Sequence, residues 1–306
     1  MSSYVFGPVA SRRLGRSLGV DLVPHKTCTF DCVYCQVGRT TCRTIQRKEW
    51  VPVEEVLQAV REKISLQPDY ITFSGSGEPT LHAGIGELIS EIKKISKIPV
   101  AVLTNGSLLW QPEVRVELAG ADLVVPSLDA ATQEAFMRVN QPSPEINIEK
   151  LVEGLIAFRE SFAGQYWLEV FLLQGITDSE EQVHELAKLV QQINPDRVQL
   201  NTVARPPADS TARAVPREKM DFFRGLFGEK AEVIAQFAGS KTDAGTVAKR
   251  EDLLIMLRRR PCTIADVAVG LRLHETEVSK LLKKLLREDL VEIESVEGLQ
   301  YFRAKT

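Results

Sequence analysis

Three cysteines of the chain lie close together in a pattern that suits metal or cluster chemistry. Cys28, Cys32 and Cys35 form a CxxxCxxC segment, and the five cysteines of the 306-residue chain are an odd number. In a reducing compartment such a group indicates metal or redox chemistry and not disulfide bonds. A loop with three thiolates can bind one face of a cubic iron-sulfur cluster and leave one iron atom free to bind another molecule.

The same thiols are compatible with a structural zinc site. Zinc prefers four ligands in a tetrahedron, and either His25 or Cys42 would supply the fourth one. Cys42 is equally compatible with being an ordinary thiol that binds nothing. The spacing of the cysteines alone leaves the cluster and the zinc site open.

Small and polar residues follow the ends of three predicted strands. Such residues allow a backbone to approach a ligand, and a carboxylate among them can accept hydrogen bonds from an amine. Each of these segments taken alone is also typical of turns and helix caps. The residues of this set are Ser76, Gly77, Glu78, Thr104, Asn105, Ser127 and Asp129.

The elements that position these residues alternate between short apolar runs and longer segments with helical spacing. This alternation predicts a parallel sheet covered by helices, in which the loops after the strands build the site. Helices are predicted at Val53 to Leu66, Leu81 to Ile95 and Pro216 to Phe227. The six predicted strands are Leu18 to Val23, Tyr70 to Ser74, Val100 to Thr104, Leu123 to Leu128, Trp167 to Leu173 and Arg197 to Val203.

A second, smaller domain is predicted at the carboxyl end. The polar stretch Gly239 to Gly245 suggests a linker, which divides the chain into residues 1–245, with 205–245 as extension and linker, and residues 246–306. Three predicted helices, Lys249 to Arg259, Thr263 to Gly270 and His274 to Leu286, precede VEIESV, a Glu297-Gly298 turn and LQYFRA. Three helices followed by a hairpin are typical of a winged helix-turn-helix domain.

Together, in this order, the cysteine segment and the polar strand ends resemble the radical S-adenosylmethionine (radical SAM) superfamily over most of residues 18 to 203. The resemblance implies an α/β partial (βα)6 TIM-like barrel and a [4Fe-4S] cluster on Cys28, Cys32 and Cys35. It also implies that Glu78 holds the methionine ammonium of S-adenosylmethionine (SAM). The further cofactor-binding residues that it implies are Tyr34, Ser76, Gly77, Thr104, Asn105, Ser127 and Asp129. The segment SGSGEP departs from the Gly-Gly-Glu motif of the superfamily, because Ser76 replaces its first glycine.

The activity implied by this resemblance is reductive cleavage of SAM to a 5'-deoxyadenosyl radical, which abstracts hydrogen from a substrate. FGPVASRRLGRSLGVDLVPHKTCTFDCVYCQ and VQLNTVARPP look like proteins related to the synthase of wyosine bases in tRNA. Only Cys42 and Cys262 remain for a second cluster, too few for the usual four ligands, so wyosine formation itself is not predicted. The alternative function is an iron-sulfur or zinc-containing, redox-sensing regulator that binds DNA.

Charge is uneven along the chain although the formal net charge is only -3. Residues 1–50 carry eight Lys or Arg against three Asp or Glu, a balance of +5. A basic rim there would attract an anionic substrate, an RNA backbone or an acidic one-electron donor such as flavodoxin or ferredoxin. Asn201 and Arg205, after the last predicted strand, are candidate substrate contacts. The predicted rim consists of Arg12, Arg13, Arg16, Lys26, Arg39, Arg43, Arg47 and Lys48.

The last predicted helix combines the basic residues Lys280, Lys283, Lys284 and Arg287 with acids near its start, Glu275 and Glu277. Acids at that end are unhelpful for reading DNA bases, so RNA, a protein partner and simple packing all remain candidates for this domain. The sequence shows neither a secretory signal nor a run long enough to span a bilayer, so a cytoplasmic location without membrane contact is expected.

Overall fold

The computed structural model describes residues 4–11, 13–235, 250–271, 273–296 and 298–305. The strands are β1 Val5–Ser11, β2 Gly15–Val20, β3 Thr27–Cys28, β4 Cys42–Arg43, β5 Tyr70–Phe73, β6 Val100–Thr104, β7 Leu123–Pro126, β8 Gln165–Phe171, β9 Arg197–Asn201, β10 Ala231–Val233, β11 Val291–Val296 and β12 Leu299–Ala304. The helices are α1 Val53–Lys63, α2 Ile85–Ile95, α3 Pro112–Leu118, α4 Gln133–Val139, α5 Ile148–Ser161, α6 Glu180–Ile193, α7 Arg217–Leu226, α8 Arg250–Arg259, α9 Ile264–Leu271 and α10 Glu275–Arg287.

The main sheet has eight strands in the order β1-β2-β5-β6-β7-β8-β9-β10. β1 runs antiparallel to β2, and all other neighbours in the sheet are parallel. The six strands from β2 to β9 in this order are the six predicted ones, and β6 has the predicted bounds. The mostly parallel α/β sheet is therefore confirmed.

The edge strands β1 and β10 were not predicted, and β2 and β8 begin at other residues than predicted. β5, β7 and β9 begin as predicted but end one or two residues earlier. The first predicted strand, Leu18 to Val23, runs instead from Gly15 to Val20. β1 contains the Gly7-Pro8 pair, two residue types that are depleted in strands. β10 is only three residues long, too short for a pattern of alternation to be visible.

Helices cover the sheet through apolar faces at the predicted spacing. On α2, Ile85, Leu88, Ile89 and Ile92 are all buried in the main core. Residues three and four apart share one face of a helix, so this face lies against the sheet while the charged face meets water. This packing holds the strands beside one another, so that the carboxyl ends of the parallel strands lie at one edge of the sheet.

Beyond residue 249 the structure contains three helices and an antiparallel pair of strands, which is the predicted order of elements. Their core includes Leu253, Val267 and Val278, and it also includes Phe6 and Val9 of β1. We call residues 250–305 the C-terminal unit. The predicted linker Gly239 to Gly245 and residues Arg12 and Glu297 lie outside the described residues. No helix in the described ranges is both long and apolar enough to cross a membrane.

Candidate active site

The three cysteines lie on one connected segment at the edge formed by the strand ends. Cys28 ends the short strand β3, and the backbone N–H of Cys35 donates to the carbonyl of Cys32 at 3.1 Å. Burial raises the pKa of Cys28 to about 12, with the negative charge of Glu78 as the next contribution. Burial and the charge of Asp129 raise the pKa of Cys32 well above its usual range. These thiols therefore need a nearby cationic centre to become thiolates at neutral pH.

Each cysteine sulfur accepts a hydrogen bond from a different side chain. Asn105 Nδ2 lies 3.5 Å from Cys28 Sγ, Asn140 Nδ2 lies 3.5 Å from Cys32 Sγ, and Lys26 Nζ lies 3.1 Å from Cys35 Sγ. Such donors stabilise negative charge on sulfur and tune bound clusters. No sequence pattern indicated Asn140, because it comes near Cys32 only through the fold.

Glu78 is 2% exposed and sits in a shell of donors. Its Oε1 accepts from the N–H and hydroxyl of Thr80 at 3.0 and 2.6 Å and from the Thr104 hydroxyl at 2.6 Å. Its Oε2 accepts one hydrogen bond from the described residues, from the Asn105 N–H at 2.8 Å. Burial raises the pKa of Glu78, and these donors oppose that rise. Oε2 keeps room for a further donor, because each carboxylate oxygen offers two lone-pair directions.

Asp129 is a second buried carboxylate on the other side of the cysteine loop. Its Oδ2 accepts from the Tyr34 hydroxyl at 2.5 Å and from Asn140 Nδ2 at 2.7 Å, and its Oδ1 accepts from the Phe171 N–H at 3.0 Å. Burial raises the pKa of Asp129 to about 6. The Tyr34 ring stacks on Phe171, with ring centres 3.8 Å apart. Burial also raises the pKa of Tyr34 well above its usual range, so its hydroxyl stays protonated and donates.

Two asparagines thus connect cysteines to carboxylates in the same way. Asn105 donates from its backbone to Glu78 and from its side chain to Cys28. The Asn140 side-chain amide lies within reach of both Asp129 and Cys32. The sequence predicted Glu78, Thr104, Asn105 and Asp129 as parts of one site, and the structure brings them to the cysteine loop.

The loop before Glu78 is fixed by hydrogen bonds to Asp21 and by a close approach to the Thr27 carbonyl. The Ser76 N–H and hydroxyl both donate to Asp21, at 2.6 and 3.2 Å, so this hydroxyl is already engaged with protein. A Cβ at Gly77 would lie 1.9 Å from the Thr27 carbonyl oxygen, closer than any side chain permits. The Glu78 N–H donates to that same carbonyl at 3.1 Å. Gly77 therefore lets the Glu78 loop meet the start of the cysteine segment.

The remaining predicted residues fall in three places. Ser127 is half-buried, and its hydroxyl has no hydrogen bond to any described residue. Asn201 donates to Glu169 Oε1 at 2.7 Å, on the side where Arg13 pairs with Glu169 at 3.0 Å. Arg205 donates to Gln36 Oε1 at 3.3 Å, one residue after Cys35, and its guanidinium also lies 3.4 Å from Asp266 of the C-terminal unit.

The predicted basic rim is largely paired with neighbouring groups. Arg39 bonds Asp31 and Asp209, Arg47 bonds Glu117, and Arg16 donates to the backbone carbonyls of residues 66 and 67. Lys48 lies 4.0 Å above the Trp50 ring. Arg12 lies outside the described residues.

Three thiols, each with a hydrogen-bond donor to its sulfur, fit a cubic iron-sulfur cluster. Within the described ranges, no three Cys, His, Asp or Glu side chains are grouped so that they could hold one metal ion. Zinc needs its thiolates about 2.3 Å from one point, whereas each thiolate on a cubic cluster binds a different iron atom. Cys42 and His25, the predicted alternative fourth ligands, are both exposed.

Comparison with known proteins decides the family. The pattern described as the radical SAM superfamily matches residues 22–189, more than half of the chain. The chain belongs to the radical SAM superfamily. It is therefore a radical SAM enzyme, and its substrate is a separate question.

Relatives of this chain include several proteins without an assigned activity in their names. A UPF0026 protein of Helicobacter pylori is 34% identical over 309 residues, which cover 98% of this chain and 97% of that protein. A UPF0026 protein of Methanocaldococcus jannaschii is 35% identical over 248 residues, covering 78% of this chain and 77% of that protein. A protein named GTPase Obg from Brachyspira hyodysenteriae is 43% identical over 300 residues, and the chain spans 44% of its length.

Solved structures show the same radical SAM fold. Streptococcus suis SuiB bound to the precursor peptide SuiA has a TM-score of 0.55 at 15% identity, over 70% of this chain and 48% of that chain. A radical SAM methyltransferase from Sphaerobacter thermophilus has a TM-score of 0.52 at 20% identity, over 71% of this chain and 65% of that chain. At these identities the likeness concerns the fold alone.

Proposed function

We propose that this radical SAM enzyme binds a [4Fe-4S] cluster through Cys28, Cys32 and Cys35 and binds SAM beside it. The observation that carries the proposal is the position of Asn105, which donates both to the sulfur of Cys28 and to the carboxylate of Glu78. Cluster ligand and ammonium acceptor are thereby adjacent, as cleavage of a SAM bound to the cluster requires. A regulator that only senses redox state has no need of this carboxylate.

Each part of the site has a distinct task in this proposal. Glu78 Oε2 receives the methionine ammonium of SAM, while the bonds from Thr80 and Thr104 keep the carboxylate in place. Ser127, whose hydroxyl is not bonded to the described residues, is available to the ribose or the carboxylate of SAM. When bound, cluster and SAM together supply a 5'-deoxyadenosyl radical that abstracts a hydrogen atom from the substrate. The buried surroundings keep water and stray reductants away from the reaction.

We propose that the substrate binds near the carboxyl ends of β8 and β9. Asn201, Glu169 and Arg13 form a polar group there, and the charge of Glu169 acts on Asp129. Such a group would recognise a polar substrate through hydrogen bonds. GTP hydrolysis is not proposed, because the 306 residues contain no GxxxxGK[ST] segment to bind its phosphates.

The finer sequence predictions extend the proposal. We take the sheet to be the partial (βα)6 barrel of the superfamily and the C-terminal unit to be a winged helix-turn-helix, with the division of the chain after residue 245. This domain would position an RNA or protein substrate. We further propose membership of the wyosine-synthase-related subgroup, electrons from a flavodoxin or ferredoxin, and a cytoplasmic location.

The test needs no knowledge of the substrate. The full chain is reconstituted anaerobically with iron and sulfide, reduced, and given SAM, and 5'-deoxyadenosine is measured by mass spectrometry. We expect about four irons per chain and formation of this product, and loss of both in Cys32→Ala. Cys42→Ser is the matched control, because Cys42 is exposed and expected to bind nothing.

Two results would count against the proposal. Loss of cluster iron in Cys42→Ser would overturn the set of three ligands. One tightly held zinc ion in place of the cluster, with no SAM binding by calorimetry, would support the redox-sensing regulator instead.

A further inference from the structure

The C-terminal unit touches the chain next to both loops of the proposed active site. Arg303 donates to the carbonyl of Gln36, the residue after Cys35, at 3.2 Å. Arg259, in the last turn of α8, forms an ion pair with Asp21 at 2.7 Å. The Arg303 contact reaches the cysteine segment. The Arg259 contact reaches Asp21, which supports the loop before Glu78.

Asp21 is the acidic partner in this second contact, and it is itself almost fully buried. Its Oδ1 accepts from the Ser76 N–H at 2.6 Å, and its Oδ2 accepts from the Ser76 hydroxyl at 3.2 Å and from Arg259 Nε at 2.7 Å. One carboxylate therefore joins the C-terminal unit to the backbone of the loop that precedes Glu78. Charge-assisted bonds of this kind are the stronger class of hydrogen bond.

The loop has little freedom to settle elsewhere while Asp21 is held. Gly75 has a φ of +127°, and a Cβ there would lie 2.0 Å from Asp21 Oδ1. On the other side, the Ser76 carbonyl accepts from the Lys26 N–H at 2.7 Å. Glu78 follows two residues later, so a shift of Asp21 moves the carboxylate that is to receive SAM.

Arg259 is in turn fixed by its own surroundings. Its guanidinium lies 4.3 Å from the centre of the Phe6 ring, in the core that the C-terminal unit shares with β1. The neighbouring Arg258 is exposed and has no hydrogen bond to the described residues. Of two adjacent arginines, one is built into the contact and the other is not.

We propose that Arg259 is a positioning residue for SAM, acting through Asp21 on the Ser76 backbone and hence on Glu78. The inference rests on the proposed function of Glu78. It gives the C-terminal unit a part in cosubstrate binding in addition to any part in substrate binding. Because coupling between two sites is reciprocal, SAM in turn favours the docked position of the C-terminal unit.

The experiment compares Arg259→Gln with Arg258→Gln in the full chain. After anaerobic reconstitution, iron content, melting temperature and the Kd for SAM are measured for both variants. We expect wild-type iron content in both, a Kd about tenfold higher in Arg259→Gln, and an unchanged Kd in Arg258→Gln. Hydrogen exchange without SAM should be faster at the Ser76 amide in Arg259→Gln only.

Two further variants separate positioning from general stability. Arg259→Lys keeps a cation beside Asp21 and should recover most of the SAM affinity, even if Arg259→Gln folds poorly. Asp21→Asn should weaken SAM binding, and combining it with Arg259→Gln should add little, because both changes break one link. Equal Kd values for Arg259→Gln and wild type, or additive effects in the double variant, would overturn the inference. If wild type with a full cluster binds no SAM, the proposed function itself fails and the inference with it.

Discussion

Replacing Glu78 with glutamine tests the ammonium site at nearly constant side-chain size. The glutamine oxygen can take over the three hydrogen bonds that Oε1 accepts from Thr80 and Thr104. Its NH2 group then faces the backbone N–H of Asn105, which now bonds Oε2. Two donors face each other, and the negative charge is gone.

The expected magnitudes follow from this geometry. A buried N–H left without an acceptor costs about 1–3 kcal/mol of stability. Loss of a charge-assisted bond to the SAM ammonium costs about 1.5–3 kcal/mol, which raises the Kd for SAM about 10- to 150-fold. Iron content should not change, because Glu78 binds no iron in the proposal.

The assay is anaerobic calorimetry with SAM on reconstituted protein of known iron content. Glu87→Gln is the matched control, because Glu87 is an exposed acid in the first turn of α2. Since burial raises the pKa of Glu78, wild-type affinity should fall with acid at a higher pH than for an ordinary glutamate, while Glu78→Gln shows no such fall. An unchanged Kd in Glu78→Gln with a full cluster would refute the role of this carboxylate.

Three more outcomes are expected. Gly77→Ala should lower the melting temperature and abolish SAM binding, because its Cβ would collide with the Thr27 carbonyl. Gly225→Ala, in open space on α7, should instead stabilise the chain by about 0.5–1 kcal/mol in thermal melts. Equal melting temperatures of the two variants would contradict the close approach at Gly77. Asp129 has a folded pKa of about 6 against 3.8, so the cost of ionising it in the folded chain is fully present above pH 6. Lowering the pH from 7 to 4 should relieve about 2.4 kcal/mol of this cost in denaturant titrations. Asp129→Asn should not show this rise in the free energy of unfolding. Parallel pH profiles of stability in wild type and variant would contradict the raised pKa of Asp129. Asn140→Ala should retain iron but shift the cluster to a more negative reduction potential in an EPR-monitored titration, because one hydrogen-bond donor to Cys32 is lost. A potential identical to that of wild type would argue against the hydrogen bond from Asn140 to Cys32.

The sequence predicted those parts of the fold that depend on local pattern. The strands β5, β6 and β9 begin at the predicted residues, because apolar runs and adjacent turns define them. β1 was missed, because it contains the Gly7-Pro8 pair and because its packing on the C-terminal unit depends on contacts distant in sequence. Local propensity cannot report such contacts.

The residues of the candidate site differ in the same way, because local patterns indicate some of them and only the fold brings in the others. Glu78, Thr104 and Asn105 were predicted together, because each follows a strand and parallel strands end at one edge. Asn140 and Asp21 were not assigned to the site, because Asn140 follows a short helix and Asp21 was placed inside the first predicted strand. Arg205, predicted near the mouth of the barrel, bonds Gln36 and also Asp266, a partner that no local pattern connects to it.

The first strand and the last helices of the chain share one core, which has a consequence for synthesis. Phe6 and Val9 leave the ribosome about 240 residues before Leu253, their partner in that core, which at about 5–20 residues per second is about 10–50 s. During this interval Phe6 and Val9 lack the partners between Leu253 and Ala304 that complete their core. Folding of this shared core during synthesis therefore waits until residues 250–305 have left the ribosome, and a chain stalled before residue 250 exposes a surface that chaperones and proteases recognise.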